Sequence, residues 1–488
     1  MGHQTTTLNW DTVYAIPVNL VNEAIVEQNA SPESFEGTVD SSSYKGNFSD
    51  WQITLGGDGN LIKMNLPIKN FEMNVNDFLV GNMYFSSANL IIEVKLKYLP
   101  HEPLSSLKDD VIPHDLVVRT DNKEPEDPPV VIIDLKNIVD LNIDGDFNEM
   151  DENFVEAIFK QLAQDFIKKW LSENLNEFNH VFNTVNLNLI IDESEAWSWA
   201  KPSYIDYAYV EKSNSLEESL LGVLSMTGGR KGEQEQQKLD ANVIPENSQS
   251  GFLIAQERLL LDVILPTLPM KFVNSTIDDY EIVNASGQAG QYEYTLKLKD
   301  GKQIRLEDVE SSGVTYTPYM KKMSINLESD QLRLEAYTET QLLLGIHATC
   351  ETTNRYRLTL GENSNGEQTI IYEEVGTPKE VHDVKSSTGA EILKWMVIAA
   401  GTIATILLGI YTGGTAFVVG SIIIFTLTGI LAKTPQIIEN LNQDTSPSID
   451  LMVENTASQI IWNSTDKFKL DHVEIVGPLQ LGGTLMIV

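Results

Sequence analysis

The sequence predicts an α+β protein in which antiparallel strands dominate, arranged as two modules of similar grammar. Apolar and polar residues alternate with period two over many short runs closed by turn residues, and only a few segments switch to the helical period. Size is the third observation, because 488 residues exceed the roughly 100 to 200 expected of one domain.

The clearest hairpin comes early. Residues 51–55 run into Gly56-Gly57-Asp58-Gly59-Asn60, and alternation resumes over 61–66, so period and turn chemistry agree. The same logic marks strands at 89–98, 130–143, 185–191, 292–298, 303–306, 323–327, 331–337 and 468–475.

Three segments read as helices. Pro17 is a good first helical residue because its missing N–H has no helical partner to lose, and Val18, Val21, Ala24 and Ile25 then give one apolar stripe. Val155, Ile158, Phe159, Leu162, Phe166 and Trp170 form a second, opened by Asp151 and Glu152 where the helix dipole favours negative charge. Phe252, Ala255, Leu259, Leu260, Val263 and Ile264 form a third, ended by Pro266. Between them, residues 229–247 are polar and without period, a linker or exposed loop. The expected division is therefore 1–228, the linker 229–247, and 248–488.

The segment 395–432 is unusual, since no charged residue occurs between Lys394 and Lys433. Its 38 residues split at Tyr411-Thr-Gly-Gly-Thr415 into arms of 16 and 17, each marginal against the ~20 apolar residues a spanning helix needs. Three readings stand: a helical hairpin buried under a curved sheet, a constitutive membrane hairpin, or a stored element that meets lipid when released. Trp395, Phe417 and Phe425 are the candidate lipid-contact residues, with core packing as the competing reading of each.

Charge restricts function further. Thirty-four Lys and Arg against 70 Asp and Glu give a net charge of −36, which repels phosphate backbones, and no basic stripe opposes it, so nucleic acid is excluded as a partner. The lone Cys350 can form neither an intramolecular disulfide nor a thiolate zinc site and reads as a small buried hydrophobe. The N-terminus lacks a basic region followed by an apolar run, so a protein made soluble is expected, any export of which uses a route other than Sec.

The usual catalytic constellations are missing. The seven histidines are scattered and read as surface or satisfied core residues, no nucleophile elbow occurs, and the stretch ending at Lys433-Thr434 lacks the glycines of a phosphate loop. Asp140, Asn142, Asp144, Gly145, Asp146, Asn148 and Asp151 follow the oxygen spacing of a calcium loop. The final Asp is shorter than the usual bidentate Glu, and a strand precedes the loop instead of a helix. An ordinary acidic strand-to-helix turn is the stronger reading, so no metal, cofactor or enzymatic activity is expected.

The order of elements resembles a known family. Trp10-Asp-Thr-Val-Tyr14 before a helix, Asp50-Trp51 with Gly56-Gly57, the run 63–69 (Lys-Met-Asn-Leu-Pro-Ile-Lys), Leu221-Gly-Val-Leu-Ser, Ile244-Pro-Glu-Asn-Ser248 and the closing stretch from Phe468 are similar to the OrfX and forty-seven-kilodalton accessory proteins of botulinum-type neurotoxin gene clusters. The resemblance spans nearly the whole chain. It implies a tubular lipid-binding (TULIP) fold used twice, each a long helix wrapped by a strongly curved antiparallel sheet. It also implies a non-enzymatic accessory or component protein of a toxin system, neurotoxin-linked or insecticidal. Such a protein acts through lipid or another hydrophobic ligand, a membrane, or proteins of the same cluster. The alternative is a membrane-active subunit that inserts 395–432.

Overall fold

The computed structural model describes residues 5–76, 80–101, 113–118, 131–144, 152–187, 198–272, 274–284, 293–306, 308–311, 314–328, 330–343, 345–362, 366, 368–377, 379–386, 457–463 and 465–487. The chain opens with β1 (Thr12–Pro17), α1 (Val18–Glu27), β2 (Ser34–Val39), β3 (Ser42–Phe48), β4 (Gln52–Asp58), β5 (Leu61–Asn76) and β6 (Val80–Val94). Then come β7 (Leu96–Pro100), β8 (Pro113–Val118), β9 (Val131–Asp144), α2 (Glu152–Asn174), β10 (Asn183–Asn186), β11 (Pro202–Lys212) and β12 (Ser215–Thr227). After residues 228–249 follow β13 (Ser250–Ile254), a helical segment over 256–271, β14 (Tyr280–Asn284), β15 (Tyr294–Leu298), β16 (Ile304–Arg305), β17 (Val309–Ser311) and β18 (Val314–Tyr316). The remainder is β19 (Pro318–Glu328), β20 (Gln331–Leu343), β21 (Ile346–Glu362), β22 (Gln368–Glu374), β23 (Lys379–Ser386), β24 (Ile460–Trp462), β25 (Thr465–Ile475) and β26 (Leu479–Ile487).

Among the described residues the protein is mostly sheet with few helices, and its strand pairings are antiparallel. A six-stranded sheet runs β2-β3-β5-β6-β9, with β4 also on β5. Its two edge strands, β2 and β9, both touch α2, so the sheet curls around that helix. An eight-stranded sheet is built from β14 to β16 and β19 to β23. Between them lies a sheet of order β11-β12-β1-β13-β26-β25, drawing strands from both sides of 229–247.

Burial follows the alternation seen in the sequence. In β5, Ile62, Met64, Leu66 and Ile68 point inward, and then Phe71, Met73 and Val75 do. The phase changes because Asn70 takes a left-handed backbone, φ 52°, inside a bulge against β3, where Lys69 faces Asn47 and Glu72 faces Lys45. Asparagine tolerates that conformation, and the extra residue returns Phe71 to the core side. The expected hairpin is present, with Gln52 opposite Asn65 and left-handed glycines at Gly56 and Gly59.

Several expectations need correction. The strand foreseen over 89–98 breaks at Lys95: β6 stays with the curled sheet while β7 joins a small sheet with β8, β10 and β24. Pro17 closes β1, and the first helical residue is Val18. The third helix begins later than its apolar period suggests, because Phe252, Leu253 and Ile254 are bonded into the central sheet between β1 and β26. Sheet pairing there overrides local period. The winding then continues through Pro266 to Lys271, since a π-turn at Leu259–Ile264 and a 3-10 turn at Leu265–Thr267 place the proline where its missing N–H leaves no gap.

Candidate functional site

Aromatic side chains pack between the curled sheet and α2, and a cavity of about 990 Å³ lies at the end of the sheet beside Gly37, Tyr44, Met73 and Met83. Helix α2 presents Ala163, Phe166, Ile167, Trp170 and Leu171, all buried, with Ile158 and Leu162 of the predicted stripe half-buried beside them. Phe166 stacks on Tyr44 at 5.0 Å, and Trp170 packs against Phe48 at 5.3 Å and Phe35 at 6.1 Å. Phe71 lies 5.3 Å from Phe35 and 5.8 Å from Phe85, and Trp51 stacks on Phe178 at 5.2 Å. Each large apolar side chain so buried contributes roughly 1.5–3 kcal/mol. The interior is therefore an aromatic core along this helix.

The central sheet has two covered faces. Tyr14, Ile16, Phe252, Ile254 and Leu481 join the main core, while Trp10, Val13, Ala15, Leu220, Leu224 and Leu253 face the other way. That second face is covered by Leu239 and Val243 of the 229–247 segment. Small residues stand in register across it: Ala208 beside Gly222, Gly222 beside Ala15, Ala15 beside Gly251, Gly251 beside Gly482. They form a trough for this strap. A Cβ on Gly251 would lie 2.1 Å from the Val243 carbonyl oxygen, and one on Gly222 would lie 3.0 Å from Leu239. The indole N–H of Trp10 donates to the Gln236 carbonyl, and Gln480 donates to the Asn242 and Val243 carbonyls.

At the start of the strap, Asp11 is buried and accepts from the Thr227 N–H, the Thr227 hydroxyl and Arg230 Nε at 2.7, 3.0 and 2.9 Å. Arg258, also buried, lies 3.7 Å from Asp11 and 3.1 Å from Asp262. Burial pushes the Asp262 carboxyl up, with Arg258 and Arg230 pulling against it. This network ties β1, β12, the strap and the helical segment together. It also gives Arg230 a partner that the sequence did not suggest.

A cleft of about 350 Å³ opens where β6 passes into β7, beside β11 and the strap. Lys95, Lys97, Tyr98, Tyr204, Asp206, Asn60 and Gln237 line it. Asp206 accepts from the Tyr207 N–H at 2.8 Å and from the side chains of Gln237 and Tyr204, and burial raises its carboxyl above the usual range. Asn60 donates to Gln237 at 2.6 Å. No sequence motif pointed here, because the residues come from four separate stretches.

The residues singled out beforehand are divided. Trp395, Phe417, Phe425 and the whole 395–432 segment lie outside the described residues. So does most of the calcium-like loop: Asp140, Asn142 and Asp144 sit on β9, and 145–151 are not described. Cys350 is buried in β21. His101, His347 and His472 pair with Asp115, Glu339 and Glu474. His180 departs from the expectation of satisfied histidines: it is buried against Phe182, at 4.8 Å, and neither ring nitrogen has a hydrogen-bond partner. Among the described residues no three metal-binding side chains converge, and no helix is long and apolar enough to cross a membrane.

The family model described as OrfX-like, Protein OrfX2/OrfX3/P47, matches residues 7–483. The chain belongs to the OrfX-like family. It is 51% identical to Protein OrfX3 of Paraclostridium bifermentans and 47% identical to Protein OrfX3 of Clostridium botulinum (strain Kyoto / Type A2), in each case over 99% of both chains. The structure of P47 from Clostridium botulinum A2 is similar with a TM-score of 0.62 at 17% identity, covering 98% of each chain. An OrfX-like fold is thus shared between sequences that have diverged widely.

Proposed function

We propose that this OrfX-like chain is a non-enzymatic accessory protein of a bacterial toxin system that works as a scaffold for proteins encoded in the same cluster. Its two halves are TULIP-like modules joined through the central sheet. The observation that carries the choice of partner is the aromatic fill around α2: Phe166, Trp170, Phe35, Tyr44 and Phe48 occupy the place where a carried lipid would lie. Membership of the family supports the accessory role, and the fold by itself does not set function. Solvent extraction of the purified protein tests the choice. Stoichiometric co-purifying lipid would move the reading to a lipid carrier.

A second reading rests on the charge-free run between Lys394 and Lys433, which suits a membrane-active subunit inserting 395–432. Acid would favour it, because protonating the 70 carboxylates lowers repulsion from anionic lipid. Dye release from anionic liposomes on acidification, with and without co-encoded proteins, is the check. No release at any pH sinks that reading.

A further inference from the structure

We propose that the cleft around Asp206 binds a neutral saccharide of one or two rings. Its volume, about 350 Å³, sits at the lower end of the roughly 300–1,000 Å³ of small-ligand sites. The chemistry of the lining narrows the class. Asp206 is half-buried, and the side chains that hold it, Gln237 and Tyr204, are neutral donors. Among the described residues no lysine or arginine forms an ion pair with it, although Lys95 and Lys97 stand in the same cleft.

A partly desolvated carboxylate without a counter-ion is costly and in a cleft marks a functional site. An anion entering here meets Asp206, and a cation meets Lys95. A polyhydroxyl ligand meets neither penalty: its hydroxyls donate to the carboxylate and accept from the Lys95 ammonium, and such charge-assisted bonds are the strong kind. Asn60 and Gln237, already joined at 2.6 Å, add amide groups of both polarities. The aromatic wall is Tyr204, held by near-parallel stacking on Trp10 at 6.1 Å and 16°. Trp10 is itself fixed through its indole N–H to Gln236 of the strap, so the wall is preorganised.

This inference stands apart from the accessory role, and either can fail alone. The full chain is applied to a printed array of neutral, sialylated and sulfated mono- to tetrasaccharides. A subset of the neutral glycans should bind, and Asp206→Asn and Lys95→Ala should each weaken that binding at least about tenfold. Lys95 is exposed, so its substitution keeps the test valid should Asp206→Asn disturb the strap. Absence of neutral-glycan binding, binding unchanged in both variants, or equal binding of the anionic glycans overturns the proposal. The best sugar is then presented as a free methyl glycoside competing against a glycolipid in phosphatidylcholine vesicles and against a glycoprotein. Competition supports the site, its failure counts against it, and the two conjugates identify the carrier.

Discussion

Asp11 and His180 are both buried polar residues, the first surrounded by donors and the second without a hydrogen-bond partner. Asp11 is surrounded by donors, so Asp11→Ala strands Arg258 and Arg230 without their shared carboxylate. Breaking a buried ion network in this way costs about 3–5 kcal/mol, which urea unfolding will register as a lower midpoint. His180 has no partner, and burial holds its pKa down at about 4 against about 6.5 in an unfolded chain. The unfolded chain therefore takes up the proton first as pH falls. Stability from this residue is complete above about pH 6.5 and is lost as pH drops toward 4, by about 3 kcal/mol in all. His180→Phe places an apolar ring beside Phe178 and Phe182 and removes that part of the pH dependence. Comparing urea midpoints of the two proteins at about pH 7.5 and 4.5 checks it, and an unchanged difference would show that another group is responsible.

At the scale of elements, the strap and the helices were legible to different degrees. Strand period and turn glycines located the 51–66 hairpin and most of the long strands, because sheet alternation is written locally in side chains. The start of the 252–266 helix was not legible, since whether Phe252 lies in a strand depends on β1 and β26, both more than 200 residues away. The 229–247 segment is polar and without period in sequence, yet its sparse apolar residues, Leu239 and Val243, pack onto one face of the central sheet. The available signal was glycine inside strands, at Gly222, Gly251 and Gly482, where close backbone approach is a usual cause. Gly251→Ala should push the strap from its trough, destabilise the protein by about 1–3 kcal/mol, and speed amide hydrogen exchange over 237–248. Unaltered exchange there would mean the trough does not hold the strap.

For the whole molecule, the shared central sheet makes the two sides of the strap parts of one fold, since β13, β25 and β26 complete a sheet begun by β1, β11 and β12. The family was legible from ordered short matches along the chain, even though none of them carries chemistry. The Asp206 cleft was not, because Asn60, Lys95, Asp206 and Gln237 converge only after folding. The aromatic packing around α2 is the feature on which the proposed action through partners rests. The most direct test is native mass spectrometry of the chain, alone and mixed with the proteins encoded beside it. The account predicts an unadorned chain mass alone and a complex of fixed stoichiometry in the mixture. A chain that carries stoichiometric lipid and forms no complex would contradict it.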